Sequence, residues 1–316
     1  MVMPPDQPLS AHRLPIVHHP GYSVPLPAGH RFPMNKYGLL YARILASGFG
    51  QPLDGHQPLM ADEAQLCQAH HPDYVRRVLS CSLSPAEEKR IGLPVNKAVV
   101  DRARLASGGT ILAARLALAH GIACQTAGGS HHAHHDFGSG YCVFNDVAVA
   151  AAVMRAEGRV RRILIIDLDV HQGDGTAAIF RDVPEITTFS IHGDKNFPVR
   201  KARSDYDLAL ADGIGDEDYL DLVNSHIPRL IAAHHPELIF YNAGVDPHID
   251  DRLGRFHLSH DGIKARDCAV IDHCRGAEIP LVTVVGGGYS NDLEALAGLH
   301  FMVIEAAARK MGFPAA

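Results

Sequence analysis

Asp167-Leu168-Asp169-Val170-His171 puts two carboxylates and an imidazole at every second position, directly after the apolar run Arg162 to Ile166. Alternate residues of an extended chain point the same way, so the three side chains share one side. Such a group is costly to desolvate unless a cation sits among them, and a divalent metal supplies that charge. A mononuclear catalytic site generally takes three protein ligands and keeps one position open. Asp169 and His171 offer two. Asp246, in Gly244-Val245-Asp246 after the apolar run Leu238 to Asn242, is the best third. An oxygen-rich set of two Asp and one His suits Zn2+, with ferrous iron the second candidate. The bland alternatives are solvated, helix-capping aspartates and, for Asp246, a turn before Pro247.

Two further segments carry chemistry. Gly128-Gly129-Ser130-His131-His132 follows the apolar run Ile122 to Thr126. Adjacent histidines titrate near neutrality and suit proton transfer. Asp167 and Asp174 are carboxylates not spent on the metal, and a His–carboxylate bond fixes the tautomer and stabilises an imidazolium. His134 and His135 read as a surface cluster. Tyr289 follows Gly286-Gly287-Gly288 after Leu281 to Val285. A phenol on such a turn can donate to a developing oxyanion; the alternative is a buried tyrosine capping the core.

The elements that must position these residues alternate. Strands are expected at Ile122 to Thr126, Arg162 to Asp167, Ile186 to Ser190, Leu238 to Asn242 and Leu281 to Val285, with a weaker one at Leu14 to His18. Helices are expected at Lys97 to His120, Asn145 to Glu157, Asp216 to His235, Ser259 to Gly276 and Asn291 to Lys310. Alternation of this kind implies an α/β fold, an open parallel sheet with helices on both faces. We read one domain over residues 1–316, with a proline-rich, loop-rich first hundred residues. In such sheets ligands bind beyond the carboxyl ends of the strands, and all four segments stand there.

Composition narrows the class. The 316 residues are 47% hydrophobic and 20% charged, which excludes disordered, collagenous and disulfide-stapled chains. Subtracting 35 Asp+Glu from 29 Lys+Arg leaves −6 with His neutral; without a basic surplus or run, no nucleic-acid partner is expected. Histidine is the outlier at 22 copies. No apolar run approaches the ~18 residues of a membrane helix, and Met1 to Ser10 has neither the basic start nor the apolar core of a signal peptide. The six cysteines are scattered with no C-x-x-C, as suits reduced thiols. A cytoplasmic protein with no membrane partner is expected.

Taken together, GGSHHAHHDFGSGYCVFND, IIDLDVHQGDG, YNAGVD and GGGY resemble the zinc-dependent histone deacetylase superfamily. That superfamily has the arginase-like fold and includes acetylpolyamine amidohydrolases and acetoin-utilisation proteins. The order and intervals of the motifs also match, and the resemblance runs from about Pro15 to Lys310. DLDVHQGDG, NAGVDPHIDDRLG and HRFPMNKY are similar to its class IV, histone-deacetylase-11-like branch, which has bacterial members.

The resemblance implies a role for each matching residue. Asp169, His171 and Asp246 match the ligands of one Zn2+. His132 matches the general base and His131 its electrostatic partner, with Asp167 and Asp174 the carboxylates behind them. Tyr289 matches the transition-state tyrosine. Gly140, Tyr141 and Phe197 match positions lining an acyl-lysine channel. Asp167, Asp169, His171 and Ser190 fall near an internal potassium site formed mainly by backbone carbonyls. The implied reaction is hydrolysis of an Nε-acyl-lysine peptide or protein, or of a small acylated amine. Leu253 stands where polyamine-specific relatives place a glutamate, which favours acyl-lysine; Asp250 and Asp251 keep acetylpolyamines open. Ser130, where many relatives carry a bulkier residue, opens the reading to longer acyl chains. Arginase-type chemistry would need a second metal set, which the sequence lacks. A non-catalytic sensor should have lost a ligand, His132 or Tyr289, and has not.

Overall fold

The computed structural model describes residues 14–47 and 56–313, so the expectation about Met1 to Ser10 and the ends of the domain lie outside the described residues. The strands are β1 (Ile16–Val17), β2 (Ile122–Gln125), β3 (Ile163–Asp167), β4 (Ile186–Gly193), β5 (Tyr206–Leu210), β6 (Leu238–Asn242) and β7 (Leu281–Val284). They form one seven-stranded sheet in the order β1-β2-β7-β6-β3-β4-β5, with every neighbouring pair parallel. The sheet and its helices make a single α/β domain.

Every residue of β2, β3, β4, β6 and β7 is buried, so both faces of the sheet must be covered. The helices are α1 (Lys36–Ser47), α2 (Glu63–Leu66), α3 (Pro72–Leu79), α4 (Pro85–Ile91), α5 (Lys97–His120), α6 (Asp146–Ala156), α7 (Asp174–Phe180), α8 (Asp216–His234), α9 (His260–Gly276) and α10 (Leu293–Lys310). Most of them fall into two packed sets, α5–α6–α7 with α2 and α3 against it, and α8–α9–α10–α1. Local chemistry fixes their ends. The Asn96 side chain accepts from Val99 N, and left-handed Gly121 closes α5. Asn145, Ser259 and Asp292 cap α6, α9 and α10 in the same way, each satisfying an orphan amide of the first turn.

The chain reverses its strand order at β3: β4 and β5 continue on one side, β6 and β7 on the other. The loops after β2, β7, β6 and β3 therefore emerge side by side, although far apart in sequence. These four loops carry the four motifs, at the switch point where open α/β sheets bind ligands.

Three regions depart from the sequence expectation. Among the described residues, the first hundred hold the helices α1, α2, α3 and α4. Pro72 and Pro85, which read as loop markers, occupy the first turns of α3 and α4, where the missing N–H costs nothing. Gly173-Asp174-Gly175 opens the short helix α7. At the sheet edge, β5 is a strand with no fully buried residue, so it lacks the apolar run that marks the others.

Candidate active site

Asp169, His171 and Asp246 converge. One potential ligand atom from each lies within 4.8 Å of the other two, and all three residues are buried. His171 Nδ1 is 3.0 Å from both Asp169 Oδ1 and Asp246 Oδ2. Two donors bound at about 2.0 Å to a tetrahedral ion stand roughly 3.3 Å apart, so the spacing fits a small divalent cation. The remaining carboxylate oxygens are held by backbone: Asp169 Oδ2 accepts from Gly287 N at 2.7 Å and Asp246 Oδ1 from Val170 N at 2.8 Å. Such outer bonds orient ligands toward a metal. Burial alone would strip His171 of charge, yet Asp169 and Asp246 beside it push it up to about 10. Burial and the neighbouring Asp169 push Asp246 up to about 7. This is the negative field a dication answers.

Gly287 makes that packing achievable. A Cβ there would stand 2.1 Å from Asp246 Oδ2 and 2.5 Å from Asp169 Oδ2. The other backbone groups of the turn are also engaged. Lys36 Nζ, buried, donates to Gly286 O at 3.0 Å, and Val245 N donates to Gly287 O at 2.8 Å.

The tandem histidines lie beside the triad. His131 Nδ1 is 2.7 Å from Asp167 Oδ2, and His132 Nδ1 is 2.6 Å from Asp174 Oδ1. Their Nε2 atoms face each other at 3.1 Å, a spacing in which one must donate and the other accept. The electrostatics make the pair unequal. Burial opposes charge on His131, but Asp167 and Asp169 outweigh it and push it up to about 9. Burial and the charge of His131 push His132 down to about 4. The pair thus holds one proton to share, with Nε2 of His132 as the basic nitrogen.

Tyr289 is buried on the far wall, its ring centroid 6.1 Å from that of His171. Burial, reinforced by Asp169 and Asp246, holds its phenol well above the usual range, so it is a proton donor. His131, His132, Asp169, Tyr289, Gly140 and Tyr141 line one narrow cavity of about 30 Å³, together with Phe32, Ser130 and Cys142. Gly140, at φ +52, has no room for a side chain: a Cβ would lie 2.6 Å from His132 Cδ2. Tyr141 also takes a left-handed backbone, φ 65, an unfavourable conformation for a non-glycine residue. Phe197, half exposed, packs edge-on against His132 with centroids 4.8 Å apart. Leu253 does not line the cavity. It lies partly exposed, its carbonyl accepting from Asn196 Nδ2 at 2.8 Å. Ser190 pairs in register with Asp167, and its hydroxyl lies 3.0 Å from His192 Nδ1.

Several neighbours escape sequence reasoning. Asn242 Nδ2 donates to Asp167 Oδ1 at 2.9 Å; its place at a strand end was the only signal. Asp146, fully buried, accepts from Gly129 N and Ser130 N and so shapes the histidine loop. His134 is no free surface histidine. Its Nε2 is 2.9 Å from Asp174 Oδ2, so Asp174 serves two imidazoles. Asp251 and Arg252 engage the backbone of Tyr289.

Comparisons with known proteins identify what the chain is similar to. An uncharacterized protein of Picosynechococcus sp. is 46% identical over 93% of this chain and 98% of its own length. Histone deacetylase 2 of Arabidopsis thaliana is 30% identical over 90% of this chain and 76% of its own. The crystal structure of the HDA15 HD domain superposes with a TM-score of 0.76 at 21% identity, covering 93% of this chain and 90% of that one; it shows the same fold. The histone deacetylase domain profile matches residues 30–305. With that match spanning β2 to β7, the triad, the histidine pair and Tyr289, the chain belongs to the histone deacetylase domain family.

Proposed function

We propose that this chain is a metal-dependent amidohydrolase that removes acyl groups from Nε-acyl-lysine or a related acylated amine. One observation carries the reading: the buried Asp169–His171–Asp246 triad reaches, through Asp169, the narrow cavity lined by the His131–His132 pair and Tyr289. Zn2+ suits the two-carboxylate, one-imidazole donor set, with Fe2+ second. When bound there, the ion supplies Lewis acidity toward the acyl carbonyl and an attacking water.

The side chains perform the rest. Asp174 holds the proton of His132 on Nδ1, leaving Nε2 to take the proton from water. His131, fixed by Asp167, presents positive charge to the developing oxyanion. The Tyr289 hydroxyl donates to that oxyanion from the opposite wall. The protonated histidine pair then returns a proton to the leaving amine. Gly140, Tyr141 and Phe197 form the walls along which the acyl-lysine stem enters.

The residues after Asp246 favour acyl-lysine over polyamine. A polyamine site needs a free rim carboxylate for a second ammonium. Asp251 is committed, accepting from Tyr289 N, Leu253 N and Gly254 N, and Leu253 carries no charge. Only the exposed Asp250 among these is available. Class IV membership rests on DLDVHQGDG and NAGVDPHIDDRLG. Gln172, within the first motif, bonds to Asp207 of β5 and to the backbone of Ala202.

The test is a side-by-side assay of one lysine peptide, acylated from acetyl to myristoyl, against acetylputrescine, with a hydroxamate control. We expect hydroxamate-sensitive peptide hydrolysis and little turnover of acetylputrescine, with Ser130 admitting chains longer than acetyl. Preference for acetylputrescine would transfer the assignment to polyamines, and no turnover of any substrate by metal-loaded protein would overturn it.

A further inference from the structure

Tyr289 ends a run of three glycines, two of them at positive φ (Gly286 at +66, Gly288 at +150). Glycine gives a turn its reach and also the most conformational freedom to lose. A phenol that must stand at one point therefore needs restraint from outside the turn. The segment after Asp246 supplies it. Asp251 Oδ2 accepts from Tyr289 N at 2.7 Å, and Arg252 Nε donates to Tyr289 O at 2.6 Å. Two consecutive side chains thus hold both backbone polar groups of the same residue.

The restraints are themselves anchored. Asp251 Oδ1 accepts from Leu253 N at 2.8 Å and Gly254 N at 2.9 Å. Arg252 Nη2 donates to Arg31 O at 3.3 Å, next to Phe32, whose ring lies 6.4 Å from that of Tyr289. The loop is pinned at its far end too: a Cβ on Gly254 would stand 1.8 Å from Asp246 O. One loop, 246–254, therefore carries both a member of the triad and the grip on the tyrosine across from it.

We propose that Asp251 and Arg252 are positioning residues that fix Tyr289 on its glycine turn and so set where its hydroxyl stands relative to the Asp169–His171–Asp246 triad. The inference rests on the reading of Tyr289 as the oxyanion donor. Neither residue touches the reacting atoms. Their effect on turnover must therefore pass through the phenol, which separates positioning from mere support of the fold.

A double-mutant cycle tests this on the metal-loaded protein with an acyl-lysine peptide. Tyr289→Phe is expected to lower kcat on the order of 10²–10³-fold. Arg252→Ala, at an exposed residue, and Asp251→Asn, whose amide keeps only one acceptor oxygen, are each expected to lower kcat roughly 10-fold or more with little change in KM. In the Tyr289→Phe background the same substitutions should cost less than about 2-fold. Arg252→Lys should recover part of the loss. A second readout needs no turnover: 3-fluorotyrosine at position 289 should give one sharp ¹⁹F resonance in the parent protein and a broadened or split one in both variants. Unchanged resonances, or losses equal in both backgrounds, overturn the proposal while leaving the deacylase reading intact. Normal turnover by Tyr289→Phe removes the tyrosine from the mechanism and the proposal with it.

Discussion

Two clusters of buried charge lie near the carboxyl ends of β3 and β6, and they are built on opposite plans. In the first, Arg266 Nη2 meets Asp267 Oδ1 at 2.8 Å, Tyr241 donates to the same oxygen at 2.6 Å, and Arg266 Nη1 donates to Gly244 O at 2.6 Å. Its one anion has its cation. In the second, Asp167, Asp169, Asp174 and Asp246 are buried with His131, His132 and His171. No Lys or Arg among the described residues comes within ion-pairing distance of these four carboxylates, whose only ion-pair partners are histidines. Burying ions is tolerated when the set is balanced and fully bonded. The first cluster neutralises itself and holds the strand ends together. The second calls for positive charge that its ion-pair partners provide only through protons, as expected where a dication and a shuttled proton do the work.

That contrast can be broken in graded ways. Removing the base from the unbalanced cluster should cost most: His132→Ala is expected to lower turnover roughly 10²–10⁴-fold with thermal stability nearly unchanged, measured by steady-state kinetics beside a melting curve. Cutting the balanced cluster should do the reverse. Arg266→Ala strands the Asp267 charge and should destabilise the fold by about 3–5 kcal/mol, read by urea unfolding, while the folded fraction keeps its metal. Tyr289→Phe should then lower turnover by 10²–10³-fold, about 3–4 kcal/mol in barrier, with metal content intact.

The smallest effect is a pH dependence set by a buried imidazole outside both clusters. His70 Nδ1 donates to His134 O at 2.8 Å and its Nε2 accepts from Asn145 N at 2.9 Å. The second bond requires the neutral ring, since a protonated Nε2 cannot accept, and burial pushes the pKa down from 6.5 to about 4. Its stabilising contribution is therefore complete above pH 6.5 and is lost as pH falls from there toward 4. At pH 5 the loss is about 2 kcal/mol. Urea unfolding at pH 7.5 and 5 should show a smaller pH-dependent loss in His70→Gln than in the parent protein.

What could be read from the sequence followed from its physics. The buried strands β3, β6 and β7 are short apolar runs ended by Asp, Asn or Gly, and the spacing marked Asp167, Asp169 and His171 as a set, although the strand stops at Asp167 and bends carry the last two. Strand order was not legible, because only the fold brings the loops after β2, β7, β6 and β3 together. β5 was missed because an exposed edge strand needs no apolar run. α3 and α4 were missed because proline at a first turn looks like proline in a loop. His134 was taken for surface because nothing in HHAHH says that Asp174 has a second oxygen to offer. Asp251 and Arg252 were opaque for a deeper reason. They act on the backbone of Tyr289, and backbone partners leave no pattern in side-chain identity.

The most direct test of the central claim is equilibrium dialysis of the apo-protein against Zn2+, with elemental analysis, for the parent chain and Asp246→Asn. The account predicts one tightly held ion per chain in the parent and none retained by the variant, with both equally folded by circular dichroism. Full occupancy in Asp246→Asn, or a parent chain that retains no divalent ion, would contradict it.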